Sequence, residues 1–406
     1  MLSLSDVEAA RQRLQSAIYC SPCAYSESLS QLTGTRCFIK LENLQMTGSF
    51  KERGAANTLL TLADAERRRG VIAASGGNHG LAVAFHAQRL GIPAVIVMPE
   101  WAPLIKVGSA RRHGAEVVLA GANYEEAYAR ARRLCEERQL AFIHPFDDPR
   151  VIAGQGTIGL ELMEQCPELD AVVAPVGGGG LVAGIALAMK AVKPKVRVIG
   201  VQAEALPAMR RALGAGAPVT LSPAATIADG IAVRQVGEIS FEIARRLVDE
   251  VVTVDEEEIA NAILLFLEIE KTVAEGAGAT PLAALVNKKV ALQGKSVALI
   301  LSGGNIDVNV ISRIIERGLV KDGRLVRLSV LLQDRPGALA RLAGLVAEAR
   351  ANILQITHDR AFSRSRIGET EVELTLETSG REQIEAVKRH LLDAGYRVQE
   401  VIPGPP

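Results

Sequence analysis

Short apolar runs and longer stretches of helical period alternate along the first three quarters of the chain. Ser5-Asp6-Val7-Glu8 has the spacing of a capping box and predicts a helix through about Ala17. Arg36-Cys37-Phe38-Ile39-Lys40-Leu41 alternates like a strand. Val71-Ile72-Ala73-Ala74, Pro93 to Pro99 and Glu116-Val117-Val118-Leu119 repeat the strand signal, with helices predicted between them through Leu90 and from Ile105 to His113. Ala171 to Val176 restarts the pattern as a buried strand, followed by a helix at about 182–192 and further strands at Arg197–Val201 and Val297–Leu301. Such alternation predicts an α/β fold, in which helices cover a parallel sheet.

The order changes near the end. Residues 317–325 are polar and contain glycine, and they are expected to be a linker between residues 1–316 and a tail of residues 326–406. Strands at about 327–333, 353–360, 370–377 and 397–402 alternate there with two helices in the order β-α-β-β-α-β. One helix follows Pro336, and the other follows Ser379, which has capping-box spacing to Glu382. This arrangement is a ferredoxin-like unit.

Composition narrows the functional classes. Lys plus Arg and Asp plus Glu both number 46 in 406 residues, so no net field draws the chain to nucleic acid or to a membrane. Charged residues interrupt the N-terminal twenty, and no run of 18 uncharged apolar residues occurs, which predicts a soluble, cytoplasmic protein. Cys20-Ser21-Pro22-Cys23 has redox or zinc spacing, but no second pair accompanies it. The five cysteines are therefore read as ordinary thiols.

Three apolar strands run into glycine-rich turns, at residues 75–80, 177–181 and 302–305. Ligands of open α/β sheets bind at the carboxyl ends of strands, so the three turns could face one cleft. Gly177 to Gly180 can converge backbone N–H groups on an anion, with Leu181 and the following helix adding a dipole. Read alone, those glycines serve equally well for tight strand–helix packing. Neither a Gly-x-Gly-x-x-Gly nor a Gly-Lys-Ser/Thr motif is present there, which argues against a dinucleotide or ATP site. Lys51 follows Gly48-Ser49-Phe50 where a turn gives way to a helix, near the positive end of its dipole. Such a place lowers the cost of the neutral amine that carbonyl chemistry needs, although a lysine near an arginine on a helix is commonly just a solvated side chain. A phosphate cradle and such a lysine together suit an aldehyde that carries its own phosphate, and pyridoxal 5'-phosphate fits.

Ser49-Phe50-Lys51-Glu52-Arg53-Gly54-Ala55, Ser75-Gly76-Gly77-Asn78-His79-Gly80, Gly177 to Gly180 and Ser302-Gly303-Gly304-Asn305 resemble the signature set of fold-type II pyridoxal-phosphate enzymes. Among these the likeness is greatest to the threonine dehydratases (threonine ammonia-lyases) of the catabolic type, with serine racemases as near kin. It covers about residues 5–315. The tail resembles an ACT domain, a small amino-acid-sensing module, through Asp334 to Leu339 and Ala351-Asn352-Ile353. The resemblance implies two open, twisted, mostly parallel sheets, with a smaller lobe at about residues 48–150.

It also implies roles. Lys51 would hold the cofactor covalently and then act as the base at Cα, with Phe50 packed beside the cofactor. Asn78 would bind the cofactor's phenolic oxygen, Gly177 to Gly180 and Leu181 its phosphate, and Ser302 its pyridine nitrogen. Ser75, Gly76, Gly77, Asn78 and His79 would receive the substrate carboxylate. Serine racemases have a second serine where Gly76 stands, so elimination is expected over racemisation. The racemase metal ligands correspond to Gln202 and Ala208, with Glu204 nearby, and no metal is expected. The activity implied is β-elimination of L-threonine to 2-oxobutanoate and ammonia, and of L-serine to pyruvate. A serine or hydroxyaspartate dehydratase, a racemase and a non-catalytic amino-acid-binding regulator are the alternatives. A branched-chain amino acid is the expected effector, read by Asp334, Gly337, Leu339 and Asn352, in a homodimer or homotetramer.

Overall fold

The computed structural model describes residues 2–359 and 366–401. The chain divides into two compact units after Ile306. The first unit contains β1 (Cys23–Tyr25), β2 (Arg36–Leu41), β3 (Val71–Ala74), β4 (Ala94–Met98), β5 (Glu116–Leu119), β6 (Ala141–Phe142), β7 (Ala171–Pro175), β8 (Arg197–Ala203), β9 (Glu250–Val254) and β10 (Ser296–Leu301). They form a six-stranded sheet ordered β1-β2-β10-β7-β8-β9 and a four-stranded sheet ordered β5-β4-β3-β6. Only β1 runs antiparallel to its neighbour. Strands β3, β4, β7 and β10 are buried at every position, as helices on both faces require, and that is why they read as unbroken apolar runs.

Glycines let the helices approach closely enough to fix the site. A Cβ on Gly154 would stand 2.6 Å from the carbonyl oxygen of Arg53, so the helix Pro149–Gln165 packs backbone to backbone on the helix Lys51–Leu60. The same two helices share a buried ionic cluster. Arg53 is fully buried and meets Glu42 at 2.7 Å and Glu161 at 2.6 Å, while Lys40 reaches Glu161 at 2.5 Å. Each charge there is balanced by a partner, and losing one would strand another in a dry interior at a cost of about 3–5 kcal/mol. Arg53 is therefore no solvated side chain. It fixes the helix that opens with Lys51 against the end of β2.

The second unit has a helix, Val308–Lys321, and then β11 (Leu325–Gln333), β12 (Asn352–Asp359), β13 (Glu369–Glu377) and β14 (Arg397–Glu400). Their order is β12-β13-β11-β14, antiparallel throughout. Burial alternates along β11 and β13, and the inward residues meet Leu342, Val346, Ile384, Val387 and Leu391 of two covering helices, Ala338–Glu348 and Arg381–Asp393. This is the expected ferredoxin-like order.

Several boundaries differ from the sequence reading. The first helix spans Leu4–Leu14 and starts two residues early, because the Asp6 carboxylate accepts the Ser3 N–H at 2.8 Å. The second covering helix of the tail is capped by Gly380. Its expected Ser379–Glu382 box gives way to Gln383, whose side chain accepts the Ser379 N–H at 2.6 Å. Residues 317–321 of the expected linker are helical, continuing the amphipathic turn pattern from Val308. The strand ends expected at residues 360 and 402 lie outside the described residues.

Candidate active site

The carboxyl ends of β2, β10 and β7 lie side by side, and the chain leaves them at Glu42, Ser302 and Val176. Gly48, in the left-handed region at φ +77°, turns the chain toward Lys51. Backbone hydrogen bonds then zip this turn to the end of β10. The Phe50 N–H donates to the Ser302 carbonyl at 3.0 Å, and the Gly304 N–H to the Gly48 carbonyl at 3.0 Å. Buried Glu52 accepts the Thr47 N–H and meets His86 Nε2 at 3.2 Å, closing the turn from behind. Lys51 and Ser302 are thus neighbours by backbone pairing, not by side-chain chance.

Lys51 is the first residue of its helix, as expected. Its Nζ donates to the Pro145 carbonyl at 2.8 Å and lies 5.3 Å from the Phe50 ring centre. Burial pushes the amine down from 10.5 to about 8, against an opposing pull from Glu275. A substantial neutral fraction is then present near neutrality, the form that attacks a carbonyl.

All the residues singled out in the sequence for cofactor and substrate line one cleft of about 1070 Å³. Ser75 follows β3, its Oγ accepts the Gly77 N–H at 3.2 Å, and the helix Asn78–Arg89 begins directly afterwards. A Cβ on Gly77 would meet nothing within 4 Å, and one on Gly76 only Pro99 at 3.9 Å, so this turn leaves room for a ligand. The His79 side chain takes no part in that opening. It is buried, with Nε2 2.9 Å from the Ile143 carbonyl, and burial holds its pKa down at about 3. Only its backbone remains for an anion.

Two features were missed in the sequence. Glu275 caps the helix Gly276–Val286 and is 3% exposed. Both its oxygens accept from Asn78 Nδ2 at 2.9 Å, and Asn78 Oδ1 accepts from Asn305 Nδ2 at 2.8 Å. Burial pushes the Glu275 carboxyl up to about 7. Its signal was a lone acid within the small apolar run Val273 to Ala279. The second feature is His144-Pro145-Phe146-Asp147. His144 Nδ1 accepts the Asp147 N–H at 2.7 Å and the Phe146 N–H at 3.3 Å, and burial first of all lowers its pKa to about 4. The ring is therefore neutral with its proton on Nε2, a hydrogen-bond donor on the cleft wall beside Lys51.

The turn from β7 into the helix Gly180–Val192 has the shape of an anion cradle. A Cβ on Gly178 would fall 2.3 Å from the Phe146 ring, and one on Gly180 2.5 Å from the Phe146 carbonyl. Gly179 adopts φ +101°. No side chain fits there, while the N–H groups of a helix start suit a phosphate. The buried lysine, the glycine cradle and the buried neutral Ser302 (1% exposed) fit a phosphorylated pyridine aldehyde. Gln202, at the position that matches a metal ligand of serine racemases, donates to the Val176 carbonyl at 3.1 Å and accepts the Arg210 N–H at 3.0 Å. Among the described residues, no three or more His, Cys, Asp or Glu side chains gather to hold a metal.

In the second unit, Gly337 caps the helix Ala338–Glu348 at φ +85°, two residues before Leu339 and one turn after Asp334. Asn352 begins β12 and bonds Glu377 at 3.1 Å. Leu325 and Asn352 both pair with Glu377, whereas Gln333, just before Asp334, pairs with Glu369. Within one chain the two halves of the expected effector site therefore stand at opposite ends of the sheet, about 26 Å apart at the rise of a strand.

The family comparisons agree with this geometry. The description "Pyridoxal-phosphate dependent enzyme" matches residues 14–303, and "ACT domain" matches residues 326–394. An L-threonine ammonia-lyase of Thermotoga maritima is 50% identical over 401 residues, 99% of this chain and 100% of its own length. The catabolic L-threonine dehydratase of Escherichia coli is 44% identical over 77% of this chain and 96% of its own. Among solved structures, the T.th. threonine deaminase is 45% identical with a TM-score of 0.71, covering 75% of this chain and 99% of that one. Maize serine racemase is 34% identical with a TM-score of 0.74, covering 79% and 98%. No helix of the described residues is long and apolar enough to cross a membrane. The chain belongs to the pyridoxal-phosphate-dependent enzymes and carries an ACT domain that follows the enzyme domain in sequence.

Proposed function

We propose that this chain is a threonine ammonia-lyase, removing ammonia from L-threonine by β-elimination to give 2-oxobutanoate and accepting L-serine as a second substrate. The observation that carries the reading is Lys51, an amine pushed down to about 8 at the junction of the glycine cradle, Ser302 and an open carboxylate turn. The whole-length likeness to L-threonine ammonia-lyases supports it. Pyridoxal 5'-phosphate, when bound, supplies an electron sink for the carbanion at Cα. Gly177 to Gly180 and Leu181 would hold its phosphate, Phe50 would pack beside its ring, and Ser302 would offer its nitrogen a neutral hydroxyl, which cannot keep it protonated as a carboxylate would. Ser75 and the backbone of Gly76 to His79 orient the substrate carboxylate. Lys51 would hold the cofactor and, once released from it, would take the proton from Cα. Asn78, pinned between Glu275 and Asn305, would present its amide to the ring oxygen from a fixed position. The enamine released by loss of the β-hydroxyl hydrolyses to the keto acid and ammonia.

We also place the catalytic part before Asp307 and the regulatory part in the tail, in a cytoplasmic homodimer or homotetramer. The separation of Asp334–Leu339 from Asn352 supports an effector site built by two copies, one giving the helix start and the other the asparagine. Isoleucine or valine is the proposed ligand. A keto-acid assay with threonine, serine and hydroxyaspartate tests the activity. Turnover is expected to be fastest with threonine, and no keto acid from any of the three with cofactor-loaded protein would sink the reading.

A further inference from the structure

All five cysteines are free in this structure, but two of them are not isolated. Cys23 and Cys166 are 143 positions apart in sequence, and their sulfurs share a hydrogen bond at 3.2 Å. Cys23 opens the edge strand β1 and is half-buried; Cys166 ends the helix Pro149–Gln165 and is buried. The Cys20-Ser21-Pro22-Cys23 segment is clamped against that helix end. Lys40 Nζ donates to the Ser21 carbonyl at 2.5 Å, and Gln165 Nε2 donates to the same carbonyl at 2.9 Å and to Cys20 Sγ at 3.6 Å. The sulfurs are therefore held together by the packing around them.

The pair is also electronically uneven. The hydrogen bond shared with Cys23 lowers the Cys166 thiol below its ordinary value, with Lys40 adding to the effect. The same hydrogen bond and then burial raise Cys23. A thiolate-prone sulfur beside a second thiol is the arrangement of an oxidisable cysteine and its resolving partner. Cys20 is exposed, but its sulfur is directed to Gln165.

We propose that Cys23 and Cys166 are a modification site, closing a reversible disulfide when the protein meets a hydroperoxide. The Cys166 thiolate attacks one oxygen of hydrogen peroxide, breaks the O–O bond and becomes a sulfenic acid, releasing hydroxide. The Cys23 sulfur then attacks the oxidised sulfur, and the S–O bond breaks with loss of water. Two thiols and one peroxide thus give one disulfide and two waters. The bond fastens β1 to the helix whose Glu161 anchors Arg53 and Lys40, and closes a loop of 143 residues in the unfolded chain. No atom of the cleft is altered. The consequence is a more stable fold with turnover retained.

The full-length, cofactor-loaded protein is treated with hydrogen peroxide and mapped as peptides without reductant. Expected are a fall from five titratable thiols to three, a peptide joining Cys23 to Cys166, and a Tm higher by several degrees, all reversed by dithiothreitol. Cys166→Ser and Cys23→Ser should each abolish the cross-link, and Cys20→Ser should leave it intact. Wild-type mapping stands even if a variant fails to fold. Five thiols remaining after treatment, or a cross-link joining Cys20 to Cys23, overturns the pairing. A Cys23–Cys166 cross-link without a rise in Tm overturns the stabilising role.

Discussion

The role proposed for Lys51 depends on its burial, and that has a measurable sign. In the fold its amine titrates near 8, whereas its ordinary value is 10.5. The charged form is the one burial penalises, so stability from this group is gained as pH rises from about 8 toward 10.5. Lys51→Ala should abolish ammonia release and covalent cofactor capture while leaving the Tm at pH 7 undiminished. Capture of pyridoxal 5'-phosphate by wild-type apoprotein, followed by absorbance, should rise through about pH 8; a rise only near pH 10 would refute the buried amine. Glu275 has the opposite sign. Its carboxyl stays protonated in the fold up to about 7, while the unfolded chain releases the proton near 4.5. Stability from this group is complete below 4.5 and is lost as pH climbs to about 7. Glu275→Gln keeps an acceptor for Asn78 and removes the titration, so the Tm of the variant relative to wild type should climb across that window. A flat difference would mean that Glu275 is solvated and not a buried member of the site.

Among the elements, the turn between β7 and the helix Gly180–Val192 has the least tolerance. Gly178→Ala places a methyl group 2.3 Å from the Phe146 ring, so either the ring or the loop must move. Cofactor affinity should fall by at least tenfold, read by equilibrium titration, with a Tm lower by several degrees. Unchanged affinity would mean that the cradle is only a packing device. That turn stood out in the sequence because four glycines after an unbroken apolar run suit either an anion cradle or close packing, and Lys51 favoured the first. Strands β3, β7 and β10 were legible for a related reason: burial on both faces leaves no polar position to blur the run. Glu275 and His144 were not legible. A lone acid in Val-Ala-Glu-Gly is a faint signal and Ile-His-Pro-Phe carries none, until the fold brings Glu275 to Asn78 from 197 positions away and Pro145, beside His144, to Lys51 from 94. Caps failed differently. At Ser3 and Gly380 several polar residues compete within one turn, and local geometry selects between them.

At the scale of the molecule, the catalytic unit is expected to stand without its tail. The Escherichia coli dehydratase is matched over 96% of its own length by only 77% of this chain, and the pyridoxal-phosphate enzyme match ends at residue 303. The six-stranded and four-stranded sheets both close before Ile306. The helix Val308–Lys321, by contrast, falls in the second unit with β11, so a cut at residue 325 would leave that helix without its strand. A chain ending at Ile306 should therefore fold, bind pyridoxal 5'-phosphate and turn over threonine at a rate comparable to the full chain. It should show no change in KM or Tm with isoleucine or valine, whereas the full chain should shift its threonine affinity about 5- to 150-fold, the span of a coupling of about 1–3 kcal/mol. Asn352→Ala should weaken that response without altering basal turnover, because Asn352 lies in the tail, far along the chain from any cleft residue. If the truncated and full-length chains answer alike to every common amino acid, sensing by the tail is wrong, and its antiparallel sheet serves assembly alone.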